Sequence, residues 1–186
     1  MPVTPFQKNM FYPIVSAFMM GKSTMVFIDA QNLFHGAKSY QEGYNTDMIK
    51  LVEELGSGRD VIRSYYFDSF KPGKRDDKES FYTFLETNGF RVDAKPLRKR
   101  GDTFVEKGAD IGLATEMIAR GFNKSYDVAV LVSGDNDFAR AVRYVQDQGK
   151  KVEVASFEKT MSSDLKRVAD DSVVLDNIAE EIRMEK

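Results

Sequence analysis

Val128-Ala129-Val130-Leu131-Val132-Ser133-Gly134-Asp135-Asn136-Asp137 is the stretch on which the fold turns. Five consecutive apolar residues make a strand with no polar face, the pattern of a strand covered on both sides in a parallel sheet. The strand breaks at a run of turn formers. The spacing then predicts a helix over 138 to 148, and past Gly149 a further strand over 151 to 155. Strand, acidic turn, helix and strand make a parallel crossover unit.

The same grammar runs through the rest of the chain. Thr24-Met25-Val26-Phe27-Ile28 is a second run with no polar face; it ends at Asp29-Ala30-Gln31-Asn32, where a helix to about Tyr40 starts. Thr46 is the expected cap of a helix carrying Met48, Ile49, Leu51, Val52 and Leu55, closed by Gly56-Ser57-Gly58. A strand is expected over 61 to 67, a helix through Phe81, Phe84 and Leu85, and a strand over 90 to 97. Residues 98 to 107 read as a polar, basic loop or hairpin. A helix follows over 109 to 119, with Gly121 as its expected stop. Two short helices around Val173-Val174-Leu175 complete the pattern. Four or five predominantly apolar strands separated by helices predict an α/β fold: three layers, α/β/α, around a central, mainly parallel sheet. Residues 1–21 stand outside it as an N-terminal extension, and 22–186 form one domain.

Composition narrows the chemistry. The 186 residues contain no cysteine and one histidine, which excludes disulfides, thiolate zinc sites and cysteine nucleophiles and leaves oxygen as the metal donor. A net charge of -2 offers no global attraction to nucleic acid, so a basic surface for it must be local. The longest apolar candidate for a membrane span, 11 to 20, is short and broken by Pro13 and Ser16. Ala17-Phe18-Met19 is a poor signal-peptidase site. A cytoplasmic protein is expected.

In open α/β sheets, ligands bind beyond the carboxyl ends of the strands, where strand order reverses. Asp29 stands at one such end; Asp135 and Asp137 stand at another. If those strands are neighbours, three carboxylates converge, and a hard divalent cation is the natural way to relieve their repulsion. Each Asp taken singly also suits a helix cap or a tight turn. An EF-hand is excluded, because the required Gly and distal Glu are missing. Asp110, at the start of a helix, serves equally as cap or ligand. His35 has no partner for metal or nucleophilic chemistry, so a surface or packing role is expected. Lys71, Lys74, Arg75 and Lys78, and more cleanly Lys95, Arg98, Lys99 and Arg100, are candidates for a phosphate-binding rim, with Lys107 beside them; a solvated face is the alternative. Tyr65, Tyr66, Phe67 and Phe70 fit either core or base stacking.

The motifs Phe27-Ile28-Asp29-Ala30-Gln31-Asn32-Leu33, Lys107-Gly108-Ala109-Asp110-Ile111-Gly112-Leu113 and Leu131-Val132-Ser133-Gly134-Asp135-Asn136-Asp137-Phe138 occur in this order. With Gly149-Lys150-Lys151-Val152 and the tail from Ser163-Asp164-Leu165 to Ala169-Asp170, the chain resembles the NYN domains of the PIN-like nuclease superfamily, in the bacterial branch that includes LabA-like proteins. The resemblance implies a PIN-like fold, a Mg²⁺ or Mn²⁺ site and ribonuclease activity. Carried over by position, Asp29, Asp110, Asp135 and Asp137 are the expected catalytic and metal-binding residues. Asn32 and Ser133 match the family's asparagine and small hydroxyl residue, and would bind the phosphate or orient a ligating carboxylate. Glu116 stands where the family usually has Asp, with a longer reach. The expected function is metal-dependent RNA hydrolysis with RNA as partner, and the sequence admits a homodimer. The rivals are an RNA- or protein-binding module without turnover and a small-molecule phosphohydrolase. Gln31 counts against the latter's Asp-x-Asp, and no Gly-x-Gly-x-x-Gly follows a strand.

Overall fold

The computed structural model describes residues 21–56, 58–100, 103–105 and 108–185, with the side chains of 98–100 and 103–105 excepted. The extension over 1–20 therefore lies outside the described residues. In chain order the elements are β1 (Ser23–Asp29), α1 (Ala30–Tyr40), α2 (Met48–Gly56), β2 (Asp60–Phe70), α3 (Asp76–Thr87), β3 (Phe90–Pro96), β4 (Arg98–Arg100) and β5 (Thr103–Val105). Then come α4 (Ala109–Phe122), β6 (Val128–Val132), α5 (Ala139–Gln146), β7 (Lys151–Ser156), α6 (Ser163–Val168) and β8 (Asp171–Val174).

Six strands form one all-parallel sheet in the order β3-β2-β1-β6-β7-β8, and β4 pairs with β5 as a separate antiparallel hairpin. The alternation of side chains along each strand splits the core in two. Val26, Ile28, Val130 and Val132 pack under α1, α2 and α3. Met25, Phe27, Ala129 and Leu131 pack under α4, α5 and α6. Every residue of β6 is buried, as its unbroken apolar run requires. At the lower rim, Arg59 donates to both oxygens of Glu153 (2.7 and 2.9 Å) and to the carbonyls of Leu55 and Gly56, fastening the end of α2 to β7.

Three local expectations are corrected. Asp47, not Thr46, caps α2: its carboxylate accepts from the N–H groups of Ile49 and Lys50. Residues 136–138 form a separate 3₁₀ turn before α5 begins at Ala139, because Asp135 caps the turn at once through the Asp137 N–H. Gly121 does not stop α4, which runs on to Phe122. A Cβ there would lie 2.9 Å from the Tyr126 hydroxyl, so this glycine is a packing residue. The Tyr126 hydroxyl donates to the Met117 carbonyl at 2.7 Å inside the core. Removing it in Tyr126→Phe leaves that hydrogen bond unmade and is expected to cost about 1 kcal/mol, read as a small fall in the urea midpoint without a change in slope.

Candidate active site at the carboxyl edge of the sheet

β1 and β6 are neighbours, with Ile28 level with Val132, and strand order reverses between them. Asp29 and the Ser133–Asp135 turn therefore emerge side by side at the switch point, where a doubly wound sheet leaves a crevice. Asp29 caps α1: its Oδ1 accepts from the N–H groups of Gln31 and Asn32, both at 3.1 Å. Its Oδ2 accepts from the Ser133 hydroxyl at 3.0 Å, and the Ser133 oxygen in turn accepts from the Asp135 N–H at 3.2 Å. Asn32 closes the frame, its Oδ1 taking the Gly134 N–H at 2.9 Å and the Ser156 hydroxyl at 3.3 Å. The two turns are thus tied by side chains from both, and Asn32 and Ser133 orient backbone and carboxylate rather than facing open solvent.

Asp29 is 8% exposed. Burial raises its pKa above the ordinary carboxylate value, while the capping N–H groups and Ser133 pull the other way; the nearby Asp110 charge raises it further. Asp110 is raised as well, first by burial and then by the charges of Asp135 and Asp137. The first turn of α4 therefore stands within the field of both acidic turns. The four expected ligands share one edge, but they are not drawn into a closed ligand set. Among the described residues, no three acidic or histidine side chains are close enough to enclose an ion by themselves. Mutual repulsion opposes closer approach, and Asp29 and Asp135 are each held by their own turn.

Glu116 lies further along α4, where Arg120 engages its carboxylate at 2.6 and 2.8 Å, one helical turn away. Lys95, on β3, is ion-paired with Asp93 at 3.1 Å. The side chains of Arg98, Lys99 and Arg100, and all of Lys107, fall outside the described residues. Asp93 was not singled out from the sequence. It shares a register row with Phe67 and Asp29, and its Oδ2 would meet a Cβ at Gly112 on α4 at 3.3 Å. Its signal was the acid in Arg91-Val92-Asp93-Ala94-Lys95, whose Val92 and Ala94 face the other core.

A family model described as the NYN domain matches residues 23–176. The chain belongs to the NYN family. That membership puts it in the PIN-like nuclease superfamily. The chain is 24% identical over 163 residues to low amplitude and bright protein LabA of Synechococcus elongatus, covering 82% of this chain and 83% of that one. It is 29% identical over 155 residues to an uncharacterized protein of Methanocaldococcus jannaschii, covering 83% of this chain and 57% of that relative. A solved protein of unknown function from Vibrio parahaemolyticus superposes with a TM-score of 0.70 at 25% identity, over 88% of this chain and 97% of that one. The NYN match begins at the first residue of β1 and ends just past β8, so it spans the whole parallel sheet and both acidic turns. Among the described residues, no helix is long and apolar enough to cross a membrane.

Proposed function

We propose that this NYN protein hydrolyses RNA phosphodiester bonds with Mg²⁺ or Mn²⁺. The observation that carries the reading is the buried Asp29, tied by Ser133 to the neighbouring acidic turn at the switch point and raised in pKa together with Asp110. Carboxylates placed so are under electrostatic load, and a hard divalent cation relieves it. The donor set, oxygen throughout, fits such an ion, and its openness fits one bound through a few carboxylates with water and substrate phosphate completing the shell. Asp29, Asp110 and Asp135 would hold it, with Asp137 completing the set or orienting a water. When bound, such an ion supplies a more acidic water and stabilises charge on the phosphoryl oxygens.

The chain's own work is positional. Ser133 and Asn32 hold Asp29 and the Gly134 backbone in fixed relation, so that the acidic turns do not reorganise as charge develops on the phosphate. No side-chain nucleophile is required. Cleavage of a single-stranded oligoribonucleotide in Mn²⁺ or Mg²⁺ tests the reading. The wild type is expected to cut, and Asp135→Asn to lose about 10²-fold in rate. Equal rates for the two would sink the assignment, and faster turnover of free nucleotides than of RNA would favour a small-molecule phosphohydrolase.

A further inference from the structure

On the other side of the sheet from α4, a cavity of about 720 Å³ opens between α1, the start of α2 and the β2–α3 connection. Its size is that of pockets for drug-sized or cofactor-sized ligands. Its wall is aromatic. Tyr66 and Phe70 are buried in it, Phe81 meets Tyr66 edge to face at 5.7 Å, and Phe34 stands 63% exposed on α1. Its rim is basic: Lys71, Lys74 and Lys78 line it, against Asp68 and Asp77. The two carboxylates are already engaged, Asp68 by Lys78 and the Tyr82 hydroxyl and Asp77 by Lys74. Among the described residues, no carboxylate pairs with Lys71.

The position of the cavity matters as much as its lining. Ala30 and Gln31 form part of its wall and directly follow Asp29, so the Asp29 and Gln31 backbones are no more than about 8 Å apart. A flexible polyanion held at the carboxylates therefore lies within a nucleotide's reach of residues that line an aromatic cavity, with Lys71, Lys74 and Lys78 on one side of it. An unstacked base has the matching chemistry: a flat π-face for the rings and a phosphate on each side for the ammonium groups.

We propose that this cavity receives one unstacked base of a single-stranded RNA, adjacent to the phosphate at the carboxylate edge. The proposal rests on the RNA reading above for its ligand, and binding measured in EDTA, where turnover is absent, separates the two. Full-length protein is titrated into a labelled single-stranded oligoribonucleotide, followed by anisotropy. Phe34→Ala, at an exposed position that the fold does not need, is expected to bind about 10-fold more weakly. Lys71→Ala is expected to lower the slope of log affinity against log salt by about 1. An abasic nucleotide scanned along the oligomer is expected to weaken the wild type at one position and to leave Phe34→Ala unaffected there.

RNA binding with the same affinity in wild type and Phe34→Ala, or with no abasic-sensitive position, overturns the cavity proposal and leaves the hydrolytic reading standing. That is also the result if a peptide, or the chain's own first twenty residues, fills the cavity. Base-dependent binding without metal-stimulated cleavage supports the cavity and overturns the hydrolase. No RNA binding in EDTA overturns the cavity proposal and leaves the hydrolytic reading to the cleavage assay in Mn²⁺ or Mg²⁺.

Discussion

Asp29→Asn is expected to lower RNA cleavage by about 10³-fold while leaving the protein as stable as the wild type, or more so, in the absence of divalent metal. The substitution separates two roles that the sequence could not. As a cap, Asp29 needs only an oxygen that accepts from Gln31 and Asn32, and asparagine supplies one with almost equal preference. As a ligand and charge it needs ionisation, which asparagine lacks. The loss is expected at the upper end of the range for a single electrostatic contributor. Asp29 is buried, where a charge is worth more than at the wetter Asp135 turn.

The pH dependence of stability carries the same signature. Burial raises Asp29 and Asp110 above their ordinary value of 3.8, so the folded protein binds more protons than the unfolded chain. Their contribution to stability is present at low pH and is lost as pH rises from about 3.8 through the raised values. Metal-free Asp29→Asn lacks part of that loss, so its melting temperature at neutral pH is expected to equal or exceed the wild type's, as when a strained functional group is removed. Mn²⁺ is then expected to raise the melting temperature of the wild type by mass action and that of the variant far less. A variant that cleaves normally would leave Asp29 a cap and nothing more, and one that melts well below the wild type without metal would show that the fold needs the charge at this position.

Gly134→Ala is expected to be the most disruptive single-methyl change at the site. A Cβ on Gly134 would run into the backbone carbonyl of Thr160 and crowd Met161. Nothing can swing aside there, because both obstacles are main chain. The same segment is pinned from its other side, where a Cβ on Gly36 of α1 would lie 2.8 to 3.0 Å from Thr160 and Phe157. The Gly134 N–H and carbonyl are bound as well, to Asn32 and to the Ser162 N–H. Relief must come from moving the acidic turn or the loop after β7, at a cost of about 3 kcal/mol, the upper part of the range for overpacking. In a domain of this size that is a fall of roughly 6 to 12 °C in melting temperature. Cleavage should fall about 10²-fold even in the folded fraction, because the turn that carries Asp135 is displaced. A melting curve that overlays the wild type's would show that the loop after β7 yields to the added methyl at no cost.

Much of this was legible in the chain. The two strands without a polar face, 24–28 and 128–132, announced a parallel sheet because only cover on both sides makes such runs stable. Their acidic ends pointed to a candidate site because ligands bind beyond the carboxyl ends of parallel strands. Secondary-structure boundaries were less legible where two residues compete for one role, as Thr46 and Asp47 do at the start of α2, or where a glycine can serve either packing or termination, as at Gly121. These choices are settled by neighbours distant in sequence, such as Tyr126 beneath Gly121.

By itself the sequence determined the α/β class and the order of elements, because periodicity and turn chemistry are local properties; it put Asp29, Asp135 and Asp137 at strand ends, while Asp110 joined them as a candidate chiefly through the family resemblance. Tertiary structure alone decided that β1 and β6 are neighbours, that Ser133 and Asn32 lock the two turns together, and that Glu116 is held by Arg120. It alone turned the scattered Phe34, Tyr66, Phe70 and Lys71 into the lining of one cavity. Those facts depend on which strands pair and which helix faces meet, and pairing is set by the burial of the whole core rather than by any segment within it.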